Sequence, residues 1–252
     1  MKIKFTGTGD GRGIPAIGCK CDRCKIARDA KGKNRRRRVC VIIKNESGAI
    51  ILDTPIDIGR IVNEEKIFKI DAIFLSHKHW DHVGGITEFE WWNAEKIPVY
   101  GNMSALANFE TTERLYDRCK FHIMHDRETV KIGHIKFKAF AVNHKVPTHG
   151  LIIINGDKRI VHFNDSVSLT LSDYEKKQVK KASLVIFHTP GYDGGTDHID
   201  VISVIKIAKK YPKISFIISH IGHNNLSHEE LVEKLAPYNN LRVAYDGLEI
   251  KI

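Results

Sequence analysis

Long hydrophobic runs are missing from this sequence. No stretch approaches the roughly 18 continuous apolar residues that a membrane-spanning helix requires, so no membrane association is expected. The opening residues MKIKFTGTGD lack the apolar core of a secretory signal and read as a first strand. The expected location is the cytoplasm. No low-complexity linker divides the chain, and no repeat recurs at solenoid or propeller spacing. Acidic residues are in short supply: 30 Asp+Glu against 40 Lys+Arg leave a formal net charge of +10. Such a balance favours anionic partners, phosphorylated small molecules, nucleic acid or a membrane surface, and says nothing about fold. Cysteines number only five, an odd count, and three fall in one short run, Cys19-x-Cys21-x-x-Cys24. Three thiols this close cannot all pair well as disulfides, whereas three thiolates converging on one ion is ordinary zinc chemistry. Cys40 and Cys119 stand alone and read as small buried apolar residues.

What is present is enough for a substantial core. The chain has 252 residues, 42% of them hydrophobic, which excludes a disordered chain. The expected organisation is one domain over 1–252 with an N-terminal zinc loop at 18–25. Fourteen His are an excess whose meaning depends on their positions.

Hydrophobic patterning predicts strands alternating with helices in both halves. Expected strands are Lys2–Phe5, Val39–Ile43 and Ala49–Leu52 (paired across Asn45–Gly48), Ala72–Leu75, Val99–Gly101, Thr129–Ile132, Ile135–Val142, Leu151–Ile154, Arg159–Phe163, Leu184–Phe187, Ile214–Ile218, Leu241–Ala244 and Leu248–Ile252. Expected helices are Ile58–Ile67, Ala105–Arg118 behind Ser104, Ser172–Lys180, Ile199–Lys210 and Glu229–Ala236. The last opens with a capping box, Ser227-x-x-Glu230. The pattern implies an α/β (α+β) protein: two sheets with helices outside and loops gathered at one edge.

The strongest chemical signal is Ser76-His77-Lys78-His79-Trp80-Asp81-His82, directly after the apolar run Ala72–Leu75. Three imidazoles and a carboxylate so close are costly to bury unless something binds them. Imidazole and carboxylate suit zinc, iron or manganese. Strand alternation puts His77 and His79 on one side. Asp81 and His82 then turn toward a second position, as a two-metal site needs.

His-x-His-x-Asp-His after an apolar strand resembles the metallo-β-lactamase superfamily, whose fold is an αββα sandwich. The resemblance implies further ligands at His144, Asp165 and His220, each at the end of an apolar strand. Asp165 is then the bridging carboxylate. Asp53, in Ile51-Leu52-Asp53-Thr54, matches an early Asp that orients a ligand without binding metal. Within the superfamily the chain is similar to the phosphoribosyl 1,2-cyclic phosphate phosphodiesterases of the carbon–phosphorus lyase pathway. The matching features are Gly7-Thr8-Gly9, the Gly18–Cys24 run, the segment Asn34–Arg38 and His220-Ile221-Gly222-His223. The three Cys need a fourth ligand and no Cys lies near, so a His is expected. The resemblance implies His223. It also places His198 close to the scissile phosphate, where a helix starting at Ile199, capped by Thr196 or Asp197, would attract an anion.

The expected function is therefore dinuclear phosphodiester hydrolysis, of a cyclic diester, by attack of a metal-bound hydroxide. The expected cofactors are two catalytic divalent ions (Mn, Zn or Fe) and one structural Zn. Asp81, Asp53 and His198 carry the catalytic roles beside the ligands. The expected substrate is a phosphorylated small molecule, and the expected assembly a homodimer. RNA is the alternative partner, through an RNA-processing endonuclease like the tRNA 3′-end enzymes of the same superfamily, to which Arg35–Arg38 would contribute. A zinc-stabilised nucleic-acid-binding module is a third reading. His149, His162 and His188 carry no assigned role, while His122, His125, His134 and His228 read as surface or structural residues.

Overall fold

The computed structural model describes residues 1–29, 32–45, 48–109, 113–167, 169–194 and 197–252. Among these, the strands form two seven-stranded sheets. The first contains β1 (Lys2–Gly7), β2 (Cys40–Lys44), β3 (Ala49–Leu52), β4 (Ile70–Leu75), β5 (Ile97–Gly101) and β6 (Cys119–Ile123), with β14 (Leu248–Lys251) beside β1. The second contains β7 (Thr129–Ile132), β8 (Ile135–Val142), β9 (Thr148–Asn155), β10 (Lys158–His162), β11 (Leu184–His188), β12 (Ser215–Ser219) and β13 (Leu241–Val243) in spatial succession.

The central strands read as unbroken apolar runs because both their faces are covered. Val41, Ile43, Ile50, Leu52 and Phe74 face the second sheet and pack with Phe137, Leu151, Ile153 and Ile186. Phe74 and Phe137 stack across this interface with ring centroids 4.5 Å apart. On alternate positions Ile42, Ile51 and Ile73 turn outward. There they meet Ile58 and Ile61 of helix α2 (Ile58–Glu64), α1 being Asp22–Asp29. The outer face of the second sheet is covered by α6 (Asp173–Val179), α7 (Val201–Lys210) and α8 (His228–Leu235), through Val179, Val204, Ala208, Leu231 and Leu235. The shorter α3 (Trp80–Val83), α4 (Met103–Leu106) and α5 (Glu113–Arg118) lie in the first half. The result is the expected αββα sandwich. No helix among the described residues is long and apolar enough to cross a membrane.

Strand direction positions the functional loops. β3 to β6 run parallel, as do β10 to β13. β8 pairs antiparallel with β9, and β9 antiparallel with β10, so β8 points the same way as β10. The carboxyl ends of β3, β4, β8, β10, β11 and β12 therefore open onto one edge, where ligands gather in sheets of this kind.

Several details differ from the sequence expectations; helix α2, for one, ends at Glu64 and not at Ile67. The helix expected over Ala105–Arg118 is broken into α4, a 3-10 turn at Ala107–Phe109, and α5; residues 110–112 lie outside the described residues. Its first piece is capped by Asn102, not Ser104: the Asn102 side chain accepts from Ala105 N–H and donates to the Ser76 and Pro147 carbonyls. Strand β6 follows, in a segment given no strand by its mixed polarity. Finally, α7 starts at Val201, capped by Asp200 on Ser203 N–H at 2.7 Å. Ile199 is drawn out of the helix because its N–H donates to the Ser166 carbonyl. Asp197 does not cap it, and Thr196 lies outside the described residues.

Candidate metal centre

The loop after β4 carries the His-rich motif into the sheet edge. Ser76, His77 and His82 are buried, while Lys78 points outward. His77 and His79 do share a side: His77 Nε2 lies 2.9 Å from His79 Nδ1, and His144 Nε2 lies 3.3 Å from that same atom. Asp165 approaches this group with Oδ2, 3.6 Å from His77 Nε2 and 3.9 Å from His144 Nε2. A second group joins Asp81, His82 and His220, with His220 Nε2 3.3 Å from Asp81 Oδ2. Asp165 Oδ1 lies 3.7 Å from His220 Nε2. The carboxylate of Asp165 thus stands between the two groups.

Proton inventory shows that these residues fit cations. His82 Nδ1 is 2.7 Å from Asp53 Oδ2, and a carboxylate only accepts, so Nδ1 carries the proton. In the neutral ring Nε2 is then a bare lone pair, yet it lies 3.3 Å from both Asp81 Oδ2 and Asp165 Oδ2 without a hydrogen-bond partner. A lone pair facing two carboxylate oxygens is repulsive unless positive charge lies among them. Without that charge the protein must supply it as a proton: burial opposes protonation of His82, but Asp165, Asp81 and Asp53 outweigh it and raise its pKa well above the ordinary value. Burial instead pushes His77 well below that value, and His144 down to about 4, so both keep the neutral form that binds metal.

The backbone is bent hard to achieve this. Asp53, Asn164 and His220 have φ of 62°, 54° and 60°, the left-handed region that non-glycine residues seldom occupy. Each sits just past a strand, where a sharp turn aims a side chain back over the sheet edge. Such conformations persist only where surrounding structure enforces them, and they gather at functional sites. Close approach also explains Gly85 behind the motif: a Cβ there would meet the Pro55 carbonyl at 2.0 Å, so the Asp53–Pro55 turn seats directly on the motif.

Asp53 does not reach the cluster. Its Oδ1 accepts from Ser76 N–H, and its Oδ2 from Ser76 Oγ and His82. His198 does reach it: Nε2 lies 3.0 Å from Asp165 Oδ2, on a ring 19% exposed at the rim. His198 is not at a helix N-terminus as expected, because Ile199 and Asp200 separate it from α7. Two residues were missed. His188 Nδ1 lies 2.8 Å from Asp165 Oδ1, and His162 Nε2 lies 3.0 Å from His188 Nε2. His188 closes an apolar strand just as His220 follows one, a signal that could have flagged it.

A second cluster lies apart. Cys19, Cys21 and Cys24 surround His223 Nδ1 at 3.3, 3.6 and 3.6 Å. The Cys24 N–H and His223 lower the Cys21 thiol to about 6, while burial pushes Cys24 up to about 11. Ala16 N–H also donates to Cys24 Sγ. Three sulfurs and one imidazole nitrogen aimed at a common point match tetrahedral zinc.

The basic run is internal rather than free. Arg36 is buried and donates to Thr8 Oγ1 and the Ala244 carbonyl, both at 2.7 Å. Arg37 pairs with Glu64, and Arg38 with Asp57 at 3.3 Å. Only Arg35 of the four is exposed. His228 is likewise structural, its ring 3.3 Å from Arg36. Cys40 and Cys119 are buried as expected.

The class that this sandwich and its His/Asp edge define is that of the metallo-β-lactamase fold. A family model for the beta-lactamase superfamily domain matches residues 50–221, and the chain belongs to that family. An octanoyltransferase of Porphyromonas gingivalis (strain ATCC BAA-308 / W83) is 23% identical over 259 residues, covering 99% of this chain and 51% of that protein. The chain spans about half the length of the first curated relatives it matches. Among solved structures, a diphosphatase from the PhnP family superposes with a TM-score of 0.87 at 23% identity, covering 100% of this chain and 97% of the other. Zn²⁺-bound PqqB from Methylobacterium extorquens gives 0.83 at 18% identity, covering 100% of both. At these identities the likeness speaks for the fold.

Proposed function

We propose that this chain is a dinuclear metal-dependent phosphodiesterase acting on a cyclic phosphodiester. The observation that carries the reading is Asp165, buried between two ligand groups, with Oδ2 3.6 Å from His77 and 3.3 Å from His82 and Oδ1 3.7 Å from His220. In this reading His77, His79 and His144 would hold one ion and Asp81, His82 and His220 the other, with Asp165 shared between the two groups. Two bound divalent ions supply Lewis acidity toward phosphoryl oxygens and a nucleophile from water at neutral pH.

The chain's own residues do the rest. Asp53 and Ser76 fix the His82 ring, so its Nε2 keeps one direction. His198, at the rim, protonates the departing alkoxide through Nε2. Lys145, beside His144, pairs with Asp197, beside His198, at 2.8 Å. This pair ties the two loops together across the mouth and offers a cation to a phosphate. The Cys19–Cys21–Cys24–His223 cluster holds a structural zinc that fastens the 18–25 loop to the segment following His220. The burial of Arg36 and the pairing of Arg37 with Glu64 and of Arg38 with Asp57 favour a small anionic substrate over RNA.

The test is incubation of Mn²⁺- or Zn²⁺-loaded protein with ribose 1,2-cyclic phosphates and simple aryl phosphodiesters. Metal-dependent turnover is expected. No metal-dependent turnover of any diester overturns the reading.

A further inference from the structure

Nothing in the reading above uses His188 or His162, yet both are wholly buried at the centre of the second sheet's edge. His188 ends β11 and His162 ends β10, neighbouring parallel strands. The two rings and Asp165 form a line: His162 Nε2 to His188 Nε2 at 3.0 Å, then His188 Nδ1 to Asp165 Oδ1 at 2.8 Å. His188 also stacks nearly parallel on His220, with centroids 5.0 Å apart and planes inclined by 9°.

Counting protons fixes the line. The Asp165 carboxylate, set among imidazole nitrogens, is an acceptor only. His188 Nδ1, 2.8 Å away, must therefore donate to it. The two Nε2 atoms lie 3.0 Å apart in a buried pair, so one ring donates there and the other accepts. His162 Nδ1 is buried with no acceptor near it, so that ring carries its proton on Nε2 and donates to His188 Nε2. Only the His162 Nδ1 lone pair is left unpartnered, as observed. The opposite arrangement, with a bare His188 Nδ1 free to ligate an ion beside Asp165 and His220, fails on two counts. It sets a lone pair 2.8 Å from a carboxylate oxygen, and it leaves His162 Nδ1–H as a buried donor with no acceptor.

We infer that His188 is the positioning residue for Asp165, and that His162 sets the tautomer in which His188 can do this. The inference rests on the proposed dinuclear centre. Oδ1 of Asp165 is tethered by His188, which leaves Oδ2 turned toward His77, His82, His144 and His198. A carboxylate without the tether could rotate about its Cβ–Cγ bond and would no longer hold Oδ2 in a fixed place between the two ligand groups. Hydrogen-bond partners that orient ligands in this way change metal affinity by roughly 10–100-fold.

The side-chain amides separate the two nitrogens of His188. His188→Asn keeps a donor near the Nδ1 position, whereas His188→Gln places its amide near Nε2 and loses the bond to Asp165. The ions are Mn²⁺ and Zn²⁺, titrated against a competing chelator, with thermal unfolding of each metal-free variant as the folding control. His188→Gln and His188→Ala are expected to weaken the weaker-binding ion by roughly 10–100-fold, with His188→Asn restoring most of it. Equal affinity in all three and in the unaltered protein overturns the inference. The unaltered metal-free protein gives an independent reading through ¹⁵N spectra of the imidazoles. His188 protonated at Nδ1 and His162 at Nε2 are expected; the reverse tautomers overturn the inference even if no variant folds. Failure of the dinuclear reading looks different: the unaltered protein then takes up fewer than two ions at the His/Asp cluster while the tautomers stand, which removes the metal role of His188.

Discussion

His82 Nδ1 lies 2.7 Å from Asp53 Oδ2, with both side chains buried. That bond joins the loop after β3 to the metal motif after β4. Removing the carboxylate frees the His82 ring. Asp53→Ala is expected to lower metal affinity by roughly 10–100-fold without altering the ligand set. Chelator competition measures it, and wild-type affinity in the variant contradicts the orienting role.

His198 touches Asp165 from the rim, its ring 19% exposed. His198→Ala is expected to reduce kcat by about 10²–10⁴-fold, the usual range for loss of a general acid, while metal content stays intact. An aryl diester with a good leaving group needs less protonation, so its loss should be smaller. Equal losses on good and poor leaving groups would argue for phosphate holding instead.

The Cys cluster makes a separable prediction. Cys24→Ser is expected to reduce bound zinc by one equivalent and to lower Tm. It should also expose the 18–29 segment to protease, because Cys19, Cys21 and Cys24 all meet His223 in this cluster. Catalytic-site metal content should persist. Metal analysis with limited proteolysis checks this; an unchanged zinc count and proteolytic pattern would count against a structural ion here.

Asp246 predicts a pH dependence of stability. Burial pushes its pKa up to about 6, against the opposing hydrogen bonds from Arg37 N–H and Thr8 and the charges of Arg36 and Arg37. The folded state therefore holds this proton more tightly than the unfolded chain, whose value is near 3.8. The sign follows from linkage: the contribution is complete below about pH 4 and is lost as pH rises through about 6. Asp246→Asn should remove that decline. Denaturant unfolding from pH 4.5 to 7.5 compares the slopes, and identical slopes in the two proteins refute the assignment.

Much of this was readable along the chain because the signals are local. Apolar runs of four to eight residues predict a strand wherever it lies, and Ser227-x-x-Glu230 predicts a cap that both side chains complete. The motif His77–His82 needs only its own spacing to declare a ligand set. Ala105–Arg118 misled because a helical pattern does not reveal that Asn102 will be held by the Ser76 and Pro147 carbonyls, starting the helix early.

The sequence by itself determined which strands are apolar on both faces, and with them the layered sandwich. It also determined the order of the His and Asp residues that gather at the sheet edge and the Cys-x-Cys-x-x-Cys loop. Tertiary structure alone decided what meets across the sheets. It turned Arg36 inward against Thr8 and Ala244, taking that one side chain of the basic run out of solvent. It brought His162 and His188 into line behind Asp165. The reason is physical: a side chain's type and neighbours in sequence fix its local conformation, but its hydrogen-bond partners are set by strand register. Parallel pairing of β10, β11 and β12 put His162, His188 and His220 at one edge.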